Sequence, residues 1–115
     1  MRNGDIMNYD VIEKIKEVLG SFNSKFGNQI GNTRDEVDYL IATIKYRTGE
    51  VFKIVDHSKS NYVEEWCLGD MSQCEKDIDY ILENEEDKTI QIWINFQCDA
   101  YYNAYKINAS IKEVK

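Results

Sequence analysis

The sequence predicts an α+β domain, with an antiparallel sheet of four to five strands and two helices packed on one face, in the order α-β-β-(β)-α-β-β. Three observations predict it. Apolar residues recur at helical spacing near the N-terminus, Thr89 to Gln97 alternates apolar and polar residues without a break, and Thr48-Gly49 stands between two β-rich runs. At 115 residues the chain is long enough to bury one core, and residues 1–115 are read as a single domain. Hydrophobic residues at 43 % against 30 % charged ones mark a folded chain and not a disordered acidic tail. No proline interrupts regular structure.

In the stretch NYDVIEKIKEVLGSFNSKF, residues Val11, Ile12, Ile15, Val18, Leu19, Phe22 and Phe26 share one side, with Glu13, Lys14, Lys16 and Glu17 on the other. The spacing predicts a helix over 9–26. Asn8 or Asp10 would cap its start and Gly27 its end. Gly20 costs about 1 kcal/mol relative to alanine inside a helix, so it is where a break would fall. In VDYLIATIKYRTGEVFKIVDH two runs flank Thr48-Gly49, with glycine where a tight turn wants a positive φ, and this predicts a hairpin. Its first run is apolar on both faces at Leu40, Ile41, Ala42 and Ile44, as in a central strand, and Lys45, Arg47 and Lys53 make its end basic. NYVEEWCL, starting at Asn61, would add a third strand.

Ser72 and Glu75 match a capping box, and Met71, Cys74, Ile78, Ile81 and Leu82 recur on one face, which predicts a second helix over 72–84. Thr89 to Gln97 reads as a half-buried strand with Ile90, Ile92, Ile94 and Phe96 inward. The run 101–112 returns as its antiparallel partner through Cys98, Asp99 and Ala100. The inward side of Thr89–Gln97 is expected to meet Val11, Ile15, Val18 and Phe22.

Charge is distributed unevenly. Residues 64–87 hold ten acids and one base, a net of −9, while the rest of the chain carries +2. On a helix, Glu75, Asp79 and Glu83 would form a stripe beside the buried face, about 6 Å apart along the axis. Like charges at that spacing cost about 0.2–0.5 kcal/mol per pair, so stability alone does not select them. A charge run is more often a solvated face than a site. The functional expectation is a docking surface made of Glu64, Glu65, Asp70, Glu75, Asp79, Glu83, Glu85, Glu86 and Asp87, with Trp66 and Trp93 as aromatic anchors. Such a face competes with phosphates for a groove lined by lysine and arginine. In size, acidity and one-domain build the chain is similar to the small anti-CRISPR and nuclease-inhibitor proteins that phages and mobile elements encode. That likeness is one of composition, without a motif.

The expectation is a non-catalytic inhibitor, a nucleic-acid mimic whose partner is a basic, nucleic-acid-handling enzyme. The runner-up is a toxin-immunity protein. A net charge of −7 disfavours nucleic acid as a direct ligand. An enzyme is the third class. His57 is the single histidine, expected in a surface loop beside Asp56 and Ser58, and no nucleophile signature surrounds Cys67, Cys74 or Cys98. No paired-cysteine spacing, EF-hand loop or glycine-rich phosphate loop is present, so neither metal nor cofactor is expected. No apolar run approaches the roughly 18 residues of a membrane helix. The N-terminal decapeptide lacks a signal-peptide pattern, and three cysteines suit a reducing compartment, so a cytoplasmic protein is expected. Met7 leaves open that residues 1–6 fray or precede the true start.

Overall fold

The computed structural model describes residues 9–25, 32–62, 75–98 and 104–114. They form α1 (Tyr9–Asn23), α2 (Thr33–Thr48), β1 (Phe52–Tyr62), β2 (Glu75–Asn84), β3 (Ile90–Cys98) and β4 (Ala104–Glu113). The α+β class is as expected. The order is α-α-β-β-β-β, and the strands make one antiparallel sheet in chain order.

Residues 37–48 are helical, which corrects the predicted hairpin. Val37, Leu40 and Ile44 are buried together with Thr33, and Ile41 is half-buried beside them, an i, i+3, i+4, i+7 set. The Asn32 side chain accepts from the backbone N–H groups of Arg34 and Asp35. Asp35 and Glu36 lie in the first turn, and Lys45 and Arg47 in the last, each where it complements the helix dipole. Gly49 has φ 78° and donates its N–H to the Lys45 carbonyl at 2.8 Å. The glycine does need a positive φ, but as a helix cap instead of a hairpin turn.

Residues 75–84 are a strand, which corrects the predicted second helix. Ile78, Tyr80, Leu82 and Asn84 are buried, and Asp77, Asp79, Ile81 and Glu83 between them are half-buried. β2 is bonded to β1 on one side and β3 on the other. Pairing along both edges outweighs the local helix signal. Ser72 and Cys74 of that predicted helix lie outside the described residues. The predicted strand NYVEEWCL is described only at Asn61 and Tyr62, which end β1.

α1 ends at Asn23 and runs unbroken through Gly20, which faces open solvent. The predicted cap Gly27 lies outside the described residues. β3 and β4 fall within three residues of their predicted bounds.

Both helices cover one face of the sheet, with α1 against β4 and α2, and α2 reaching β1. Ile15, Val18, Leu19 and Phe22 of α1 enter one core with Ile90, Ile92, Ile94 and Phe96, and Val11 packs at its margin. The Phe96 ring lies edge-on to Phe22 at 6.1 Å and to Tyr80 at 6.0 Å. Asn23 closes α1 against the outer edge of the sheet: its Nδ2 donates to the Ala109 carbonyl at 2.9 Å and its Oδ1 accepts the Ala109 N–H at 2.7 Å. One side-chain amide thus stands in for a neighbouring strand on edge β4. Among the described residues no helix is long and apolar enough to cross a membrane.

Candidate functional site: the outward face of the sheet

Alternation along each strand sends a second set of side chains away from the helices. Register places them in rows. One row runs Ser58, Asp79, Asn95, Asn108, and the next runs Asp56, Ile81, Trp93, Ser110. Lys53, Glu83, Gln91 and Lys112 follow at the turn end. A register shift between Ile54 and Asp56 in β1 turns Asp56 and Ser58 onto this face, a usual effect of a bulge. Together the two central rows and Lys112 line an open concavity of about 450 Å³.

The acids concentrate on β2. Of its described outward positions 77, 79, 81 and 83, three are acidic and one is Ile81. On a strand, residues two apart recur about 6.7 Å apart, so Asp79 and Glu83 stand about 13 Å apart instead of the 6 Å of the predicted helical stripe. Asp77 joins the row. Asn95 Nδ2 donates to Asp79 Oδ1 at 2.8 Å and reaches Asp77 Oδ1 at 3.5 Å, which holds both carboxylates in place. Glu83 lies 3.8 Å from Lys88. Among the described residues neither Asp77, Asp79 nor Asp56 has an ion-pair partner. Trp93 is 42 % exposed in the middle of the face. Its Nε1 donates to Gln91 Oε1 at 2.8 Å, and Lys112 Nζ lies 4.8 Å from its ring centre.

Of the residues predicted to dock a partner, Asp79, Glu83 and Trp93 come together on this face. Glu75 is paired in register with Tyr62 at the start of β2, and Glu64, Glu65, Trp66 and Asp70 lie outside the described residues. Glu85 and Glu86 are exposed in the β2–β3 turn. Asp87 is buried: its Oδ1 accepts from the Thr89 N–H at 3.1 Å and hydroxyl at 2.6 Å. It therefore shapes the turn and presents no charge to a partner. Beside it, buried Asn84 accepts from the N–H groups of Glu86 and Asp87 and donates to Glu50. Asp77 was not legible as a docking residue, because a helical period puts 77 and 79 on different faces, and Asp56, Asn95, Asn108 and Lys112 join the face only through cross-strand register.

The pairing of His57 with Ser58 considered for catalysis does not converge. His57 lies within β1, not in a loop, and its ring stacks on Tyr80 at 4.3 Å on the helix side of the sheet. Ser58, next in the strand, faces the other way, so the pair cannot act as base and nucleophile on one substrate. Cys98 is buried, with Sγ directed to the Phe96 carbonyl at 3.6 Å, and Cys67 and Cys74 lie outside the described residues. No group of three or more His, Cys, Asp or Glu among the described residues is placed to hold a metal ion. No family model, curated protein or solved structure matches the chain.

Proposed function

We propose that this chain is a non-catalytic, cytoplasmic inhibitor or binding protein that docks the outward face of its sheet on a basic protein partner, with a nucleic-acid-handling enzyme as the partner class. The observation that carries the reading is the acidic row Asp77, Asp79 and Glu83 on a face that no described helix covers, next to an exposed tryptophan. Carboxylates set on a paired central strand are held at fixed spacing, so little ordering is lost when a partner binds. Their summed field attracts a cationic groove at a distance and repels phosphate, which supports a protein ligand over a nucleic acid. Trp93 adds the kind of aromatic contact on which interface affinity concentrates. The lysines of the face, Lys106 and Lys112, lie on edge strand β4, and Lys53 at one end of β1, so the field is oriented and the partner's approach with it.

The test is affinity capture with wild type and with the triple variant Asp77→Asn, Asp79→Asn, Glu83→Gln, at low and at physiological salt. The captured protein's nucleic-acid binding is then assayed with each form. The expected outcome is a basic protein retained by wild type, released by salt, lost by the variant, and blocked from nucleic acid only by wild type. Equal capture and equal salt dependence for the two forms would refute the reading.

A further inference from the structure

The concavity on this face has a more specific shape than an acidic surface requires. Its floor is apolar at Ile81 and Trp93, which are direct cross-strand neighbours. Asp56 stands on the other side of Ile81, and Asp79 is one outward position along β2. Direct neighbours on a sheet face are about 5 Å apart and diagonal ones about 7–8 Å, so a side chain whose stem lies on Ile81 and whose head reaches Trp93 also comes within reach of Asp79. We propose that this concavity seats a single arginine side chain of the basic partner, with its stem on Ile81, its guanidinium stacked on Trp93 and its N–H donors paired with Asp79. The proposal rests on the docking reading above.

Three features favour arginine. The Trp93 ring already carries a cation, Lys112 Nζ at 4.8 Å, so its face is turned to where a positive group can sit. Asn95 fixes Asp79 through Oδ1, and no described residue bonds Oδ2, which is left for an incoming donor. A planar, weakly hydrated guanidinium matches an aromatic plane next to a carboxylate, whereas an ammonium stays hydrated and offers no plane to stack. A neutral saccharide would also stack on the ring, but it would leave Asp79 uncompensated. Lys112 then acts as an internal stand-in that the incoming arginine displaces.

Hexa-arginine and hexa-lysine peptides serve as probes, with binding followed by calorimetry and by the Trp93 indole N–H signal in NMR. Wild type should bind hexa-arginine roughly fivefold tighter than hexa-lysine, the size of one cation–π contact. Trp93→Ala should remove most of that difference and Trp93→Phe should keep part of it, with amide spectra verifying that both fold. Lys112→Ala should tighten hexa-arginine binding, because the competing cation is gone. Equal affinity for the two peptides, with no effect of Trp93→Ala, overturns the arginine seat. In that case the docking reading survives if Asp77→Asn, Asp79→Asn, Glu83→Gln still weakens both peptides, and it falls with the seat if that variant weakens neither.

Discussion

The two faces of the sheet are written by the same strands, one residue out of step. Along β2 the inward positions are Ile78, Tyr80, Leu82 and Asn84, and the outward ones are Asp77, Asp79, Ile81 and Glu83. Along β3 the inward Ile90, Ile92, Ile94 and Phe96 alternate with Gln91, Trp93, Asn95 and Gln97. The inward set is sealed by two helices, and no described element covers the outward set. A slip of one residue in register would exchange them, so the burial of the first set fixes the presentation of the second. On the proposed reading, stability and recognition are thereby separated: the acids can be selected for a partner because the core on the reverse side holds the fold.

That separation can be broken most forcefully at Phe96, whose ring lies between Phe22 and Tyr80. Phe96→Ala should cost about 3–5 kcal/mol in denaturant unfolding. A loss under about 1 kcal/mol, well below the range for a buried aromatic, would mean that the helices do not seal this face. Asn84 comes next. It is buried, and its side-chain hydrogen bonds to Glu86, Asp87 and Glu50 join the β2–β3 turn to the end of α2, so Asn84→Ala should cost about 1–3 kcal/mol and speed amide exchange at Glu86 and Asp87. A smaller effect is expected from Asn23→Ala, about 1 kcal/mol, together with a rise in self-association by light scattering as the β4 edge is uncovered. The smallest effect belongs to the outward face. Asp77→Asn, Asp79→Asn and Glu83→Gln together should change unfolding free energy by no more than about 0.5 kcal/mol, and a large loss would show that these carboxylates serve the fold.

How much of this was legible in the sequence follows the strength of each period. The stripe of α1 and the strict alternation of β3 each admit one reading, and their shared core follows from it. The run from Val37 to Ile44 admits two, since its β-branched density suits a strand while positions 37, 40, 41 and 44 suit a helix. Gly49 could not decide, because a helix cap and a hairpin turn both use a positive φ. Between Ile78 and Leu82 the short apolar set fits either period, and the pairing with β1 and β3 that selects the strand is not a local property. The site inherited that ambiguity. Its charge was visible as a segment, but which acids share a face depends on the period, so Asp77 and Asp56 were missed and Asp87, consumed by its turn, was included.

The central claim is that one face, and not the overall negative charge, does the binding. It is tested most directly by comparing two triple variants that remove the same three charges: Asp77→Asn, Asp79→Asn, Glu83→Gln on the sheet, and Glu13→Gln, Glu17→Gln, Asp38→Asn on the helices. Both take the formal net charge from −7 to −4. With protamine as the basic probe, affinity measured across a salt series should fall, with a shallower salt slope, for the sheet variant alone, while the helix variant stays close to wild type. Equal losses in the two variants would mean that binding follows net charge and that the outward face is no site.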